Sequence, residues 1–329
     1  AGALFVAGRQ MFGARAALFA VAIFLVEPAV AERSGTPGSD FAVGLFGMLA
    51  FWTAWRWQST GRGQWLLLSG ALTGLGAGTK ISGILMAAAL GALIVFETLR
   101  QKRPWKWPAS WCLLALLFSG PWLMRAAYHM GNPLWPHFAG IFDRSSRALW
   151  ISERSLRSVE AGVGQGLKEF FLVPFNLILH PDSFGGVSWP LVVPFIVLGL
   201  ACWRDIRKNP FALWLLAYAA LFGILWFKVQ QLWRYFIPLL PWAALLMAGW
   251  AEKLWSKGGV RRVVACVLGL SLLPVFSITA NNEAFAVLGL RPSQGKLSPR
   301  DAYLSRRLNS YSAMAYVNES LPPNAKVLL

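Results

Sequence analysis

Residues 64–99, QWLLLSGALTGLGAGTKISGILMAAALGALIVFETL, decide what kind of molecule this is. Two apolar arms, 65–78 and 81–96, meet at Thr79-Lys80. Arg62 precedes the first arm, and Arg100, Lys102, Arg103 and Lys106 follow the second. One very long helix would satisfy the apolarity, but a single bilayer crossing needs only ~20 residues. A hairpin of two spans fits better, because both basic ends then share one side and Lys80 stands at the opposite face. A lysine at such a turn is costly unless it reaches water or an anion. It can snorkel and steady a helix end, or it can wait for a phosphate beside helix-start amides. The hairpin alone leaves both readings open.

The whole chain is built in this way. Of 329 residues, 56% are hydrophobic, and the mean hydropathy is +0.50. Such values indicate an all-α polytopic membrane protein and exclude an ordinary soluble domain. A net charge of +17 would suggest nucleic acid in a soluble protein. Here the bases sit in short clusters between apolar runs, which is how membrane orientation is encoded, so no nucleic-acid partner is expected. Cys112, Cys202 and Cys266 lie in or beside apolar runs with no metal-like spacing, so neither a disulfide framework nor a zinc site is implied. The opening AGALFVAGRQ reads as the tail of an earlier span, not as a signal peptide. The closing NAKVLL reads as the start of a strand, so both ends are expected to be cut.

Length and apolarity predict nine spans: 13–31, 40–57, 64–79, 81–97, 108–125, 188–203, 210–228, 235–252 and 262–280. They form a bundle over 1–284, with a large outer loop at 126–187 and the beginning of a C-terminal outer region at 285–329. One set of connections carries fifteen basic residues, among them Arg9, Arg56, Arg100, Arg204 and Lys253, and is assigned to the cytoplasm. The short connections opposite carry only Arg33, Lys80, Lys228 and Arg234. Trp105, Trp107, Trp233 and Trp255 suit interfacial belts. Of fourteen acids, only Glu97, Asp205 and Glu252 fall inside, and all three histidines lie in the outer loop. Acid–base chemistry therefore belongs outside.

That loop is too long for a passive connector. It opens with YHMGNPLWPH (128–137), whose glycine and two prolines specify a rigid turn. Its end, LKEFFLVPFNLILHPDSFGG (167–186), has an apolar face behind a charged start, as in a helix lying in the interface. Such a helix is a lid over the bundle or a guide for a lipid-tailed substrate.

Asp40 follows the loop SGTPGS and is either an N-cap or a site carboxylate that positions an acceptor or a metal. Glu27, before Pro28 at the outer end of its span, needs a partner or water. Arg234 and Tyr235 belong to a polar outer turn, KVQQLWRYFIP (228–238). Arg234 is either a headgroup anchor or a bidentate clamp for phosphate. Lys80, Arg234 and Arg125 could hold a pyrophosphate or phosphodiester while a carboxylate takes a proton from a hydroxyl. His129, Asn132, His180 and Asp182 are further candidates for substrate contact on that side.

Five stretches resemble, in order, the membrane glycosyltransferases of the C-type fold. The likeness is to bacterial relatives of protein O-mannosyltransferases and to the lipid A aminoarabinose transferase (glycosyltransferase family 39-like). They are RQMFGARAALFAVAIFLVEP with SDFAVGLFGMLAFWTA, WLLLSGALTGLGAGTKISGIL, GNPLWP, WRYFIPLLPWAALLMAGW and YSAMAYVNESLPPNAKVLL. The resemblance implies a multi-pass enzyme of the bacterial inner membrane with its active face periplasmic. Such an enzyme moves a hexosyl or pentosyl group from a polyprenyl-phosphate carrier to a lipid, glycan or protein acceptor, with inversion. By motif match, Asp40 is the second acidic position of the family's outer cavity, Lys80 the hairpin lysine, and Arg234 the arginine of the "RY" helix. The family's main catalytic carboxylate lies in a first outer loop that this sequence is expected to lack. Some relatives bind a divalent metal; the loop's His and Asp content permits one, and no ligand spacing demonstrates it.

Two rivals remain. An O-antigen-ligase-like transferase would use a diphosphate carrier. A transporter or flippase of a lipid-linked or anionic substrate would show paired repeats and midplane charges, whereas the charged candidates here gather at one face.

Overall fold

The computed structural model describes residues 1–27, 30, 38–135, 137, 139–142, 162–184, 191–229 and 231–255, and single positions 301, 311, 314, 317, 320 and 322. Among these, every regular element is helical. The main helices are α1 (Gly2–Val26), α2 (Asp40–Thr60), α3 (Gly63–Thr79), α4 (Gly83–Arg100), α5 (Lys106–Met130), α6 (Leu167–Leu179), α7 (Val192–Ala201), α8 (Pro210–Val229) and α9 (Leu240–Trp255). The chain divides into two units, Ala1–Leu272 and Leu273–Leu329. In the second, the Tyr311 hydroxyl donates to Asp301 Oδ1 at 2.5 Å. The expected span 262–280 and the closing strand lie outside the described residues.

Four helices are long and apolar enough to cross a membrane: α1, α4, α5 and α8. Among the described residues these four of the nine expected spans meet that length and apolarity. Helix α2 is long enough, but Trp, Thr, Gln and Arg in its second half reduce its apolarity. Helix α3 has 17 residues and α9 has 16. The segment expected to span 188–203 yields only the ten-residue α7, about 15 Å of helix against a core of about 30 Å. The segment expected at 235–252 is broken into a 3-10 turn, Trp233–Phe236, and α9. Pro238 and Pro241 cannot donate to a continuous helix, and Pro241 falls where a first turn tolerates it. Trp233, expected at an interface, is buried. The predicted first span starts at a real break: Gly13, with φ 88°, kinks α1 between exposed Arg9 and Arg15.

Sequence pattern explains the packing. Gly70, Gly74 and Gly78 make a stripe along α3. A Cβ at these positions would lie 2.7 Å from Trp111 O, 2.4 Å from Ala115 O and 3.3 Å from Phe118 O. The backbones of α3 and α5 therefore touch, running parallel, as small-residue stripes allow in membrane helices. Ser69 fastens the same region: its Oγ donates to Ala50 O at 2.8 Å and accepts from Trp111 Nε1 at 3.2 Å. Helix α1 packs on α9, and α8 on α4. Phe51 of α2 meets Trp214, Tyr218 and Trp242 at ring-centroid distances of 5.0, 5.0 and 5.3 Å, joining α2, α8 and α9.

The basic end carries a closed polar clasp. Glu97, 1% exposed, accepts from Gln58 Nε2 at 3.1 Å, from Arg100 Nε and Nη2 at 3.0 and 2.6 Å, and from Gln101 Nε2. Arg103 donates to Trp57 O and Gln58 O and lies 4.4 Å from the Trp57 ring centroid. The α4–α5 connection is thereby tied to α2.

Helix α6 forms where the interface helix was expected. Leu177 is buried, while Leu167, Phe171, Phe175 and Leu179, one every four residues, are 80, 72, 61 and 68% exposed. An apolar stripe of this kind suits the boundary of a bilayer. The loop before it is held by Gln231, which accepts from Val163 N at 2.9 Å and donates to Gly164 O at 2.6 Å.

Candidate functional site

The end of the bundle opposite the clasp gathers the strongest candidates. Ser39 occupies the cap of α2, and Asp40 is the first helical residue, buried to 5% exposure. Lys80 ends α3 in extended conformation (φ −159°, ψ 144°). Its carbonyl accepts from Gly83 N at 2.8 Å, and the chain doubles back so tightly that a Cβ at Gly83 would lie 2.3 Å from Gly76 O. Only glycine permits that approach. The turn carries Lys80 Nζ to 2.5 Å from Asp40 Oδ1 and to 5.7 Å from the Tyr235 ring centroid. Arg234, next along the 3-10 turn, and Asp40 both act electrostatically on the Tyr235 phenol. Arg234 Nε is buried without a hydrogen-bond partner. Asp40, Lys80, Arg234 and Tyr235, drawn from three parts of the sequence, form one cluster.

The other candidates do not join it. Arg125 is exposed and lies over Trp122 of its own helix, 5.8 Å from the ring centroid. His129 is exposed beside Tyr128, and His180 is exposed at the end of α6. The Asp182 side chain lies outside the description. Asn132 is fully buried and occupied locally: Oδ1 accepts from Leu134 N at 2.8 Å, and Nδ2 donates to His137 O at 2.7 Å. It shapes the turn. Gly131 opens this turn with φ +64°, closing α5 in the left-handed region.

The same turn delivers a residue that was not singled out. His137 lines a pocket of ≈130 Å³ together with Ile81, Ser82, Leu134, Val229 and Tyr235. Burial holds its imidazole below the ordinary range, which favours the neutral ring. The signal was available in GNPLWPH, where an asparagine clasp fixes the histidine five residues on. Among the described residues, no three of His, Cys, Asp and Glu come together as metal ligands.

Cation, carboxylate, guanidinium and phenol on one rim can hold an anionic phosphate and polarise a hydroxyl nearby. No curated protein and no solved structure matches the chain. Residues 1–124, the stretch holding both Asp40 and Lys80, match the family model described as dolichyl-phosphate-mannose-protein mannosyltransferase, which bears out the resemblance to that group of membrane glycosyltransferases.

Proposed function

We propose that this protein is a membrane glycosyltransferase that takes a sugar from a polyprenyl-phosphate carrier. In this reading it passes the sugar, with inversion, to an acceptor at the extracytoplasmic face of a bacterial inner membrane. The observation that carries the reading is the junction of Lys80 and Asp40, inside the matched stretch, with Arg234 and Tyr235 from beyond it. A sugar phosphodiester leaves as a lipid phosphate, so cations fixed at the leaving group stabilise charge that develops in the transition state. Arg234 is suited to this because its Nε has no partner in the protein and a guanidinium meets phosphate bidentately.

Lys80 is held by Asp40 until phosphate arrives, and then shares its charge between them. Asp40 both neutralises the site at rest and orients the lysine. The pocket between Tyr235 and His137 offers the sugar ring an aromatic wall with Ser82 and His137 beside it. The lipid tail stays in the bilayer, along the apolar stripe of α6.

The test uses the protein in nanodiscs with radiolabelled polyprenyl-phosphate sugars and a membrane-lipid extract. Label moving from carrier to acceptor supports the transferase. Label crossing the bilayer of a proteoliposome still on its carrier overturns it in favour of a flippase.

A further inference from the structure

Glu27 stands apart from that cluster. Its carbonyl accepts from Val30 N at 2.9 Å, but its side chain, 1% exposed, has both oxygens buried with no hydrogen-bond partner. The chain leaves α1 at this residue (ψ 124°), and the carboxyl lines a cavity of ≈210 Å³ walled by apolar side chains of α1, α6, α8 and α9, including Phe24, Leu177, Leu215 and Phe236. The one other polar atom identified in that wall without a partner is Trp242 Nε1. Asp40, Lys80, Arg234 and Tyr235 do not line it. The 3-10 turn separates the two spaces, with Tyr235 on the His137 pocket and Phe236 on this cavity.

A buried carboxyl with nothing to bond is costly, and ionisable groups at membrane depth are retained for function. An apolar wall offering one carboxyl and one N–H donor narrows the choice of ligand. A hydroxyl both donates and accepts, so it can serve Glu27 and Trp242 together. An ammonium can serve only Glu27. A phosphate or carboxylate head would carry its charge into an apolar wall that offers no cation to pair it, which turns away the head of a lipid-phosphate carrier.

We propose that this cavity binds the hydroxyl end of a neutral long-chain alcohol, at a site separate from the Asp40–Lys80 centre. The proposal does not depend on the transferase reading.

The experiment uses the protein in phosphatidylcholine nanodiscs with hexadecanol carrying a photoreactive diazirine, and mass spectrometry to locate the label. Saturable labelling is expected on residues lining the cavity. Unlabelled hexadecanol should compete at least tenfold better than hexadecyl methyl ether, hexadecylamine or hexadecanoic acid. Glu27→Ala should reduce the labelling at least tenfold. Ala243→Phe, which fills the cavity from α9, should abolish it. Equal competition by the ether or the acid, or label confined to other surfaces, overturns the proposal. The competitor series is run on the unaltered protein and therefore decides even where a variant fails to fold.

Discussion

At the basic end, Glu97 is 1% exposed and receives hydrogen bonds from Gln58, Arg100 and Gln101. At the other end, Asp40 is 5% exposed and takes a hydrogen bond from Lys80, while Glu27, also 1% exposed, takes none. Depth of burial is similar, so burial does not separate these carboxylates. What separates them is whether the protein itself uses up their bonding capacity. A charge enclosed by several donors is compensated and holds helices together. A charge left short of partners has capacity for something that is not part of the fold. Arg103 and Arg234 repeat the contrast among the cations: the first is bonded to two carbonyls and stacked on Trp57, the second keeps a buried Nε without a partner.

The largest expected effect tests the open end. Lys80→Ala and Arg234→Ala should each lower sugar transfer by about 10²–10³-fold, the usual loss for a donor aimed at developing negative charge. Yield and thermal unfolding should stay close to the parent for Arg234→Ala, whereas Lys80→Ala also leaves the buried Asp40 without its lysine and lowers the unfolding midpoint. Transfer within threefold of the parent for both variants would break the comparison, because open bonding capacity would then carry no function.

The next effect tests the closed end and should have the opposite signature. Glu97→Ala leaves the partly buried donors of Gln58 without their acceptor. The expected loss is about 1–3 kcal/mol of stability, read from the unfolding midpoint. Transfer per folded molecule should be unchanged. A variant with normal stability and no transfer would move the functional centre to the basic face.

Much of this architecture was legible where the signal is local. The arms of 64–99 fold as a hairpin because each is apolar and each outer flank is basic; Lys80 then has no place except the turn. Gly13 marks a break between Arg9 and Arg15, and the charged start and apolar face of 167–179 mark α6. The failures have physical causes. Length and apolarity could not show that Pro238 and Pro241 break one predicted span, or that α7 is only ten residues long. Convergence of side chains is also invisible to a local pattern. Asp40 and Lys80 are 40 residues apart, and nothing near either says that they pair, whereas Arg125 and His129 look equally suitable and turn elsewhere. Asn132 looked like a binding residue because it is polar in a rigid turn, yet the turn is what occupies it.

That turn supplies the smallest effect and the finest division within the open end. Burial holds the His137 imidazole below its ordinary value of 6.5, so the folded turn favours the neutral ring. On acidification the unfolded chain takes up the proton first. The contribution of the buried ring is therefore fully present above pH 6.5 and is lost as pH falls through the lower folded value. Hydrogen-exchange protection across residues 131–137, taken relative to the intrinsic exchange rate at each pH, should fall between pH 7 and pH 5. His137→Gln should flatten that dependence without raising exchange at pH 7. Asn132→Ala should raise exchange at both pH values, since it removes the clasp itself. If His137→Gln keeps the parent's pH dependence, another group controls the turn. If it instead raises exchange at pH 7 as much as Asn132→Ala does, the histidine is part of the clasp and not a ring held ready beside Tyr235.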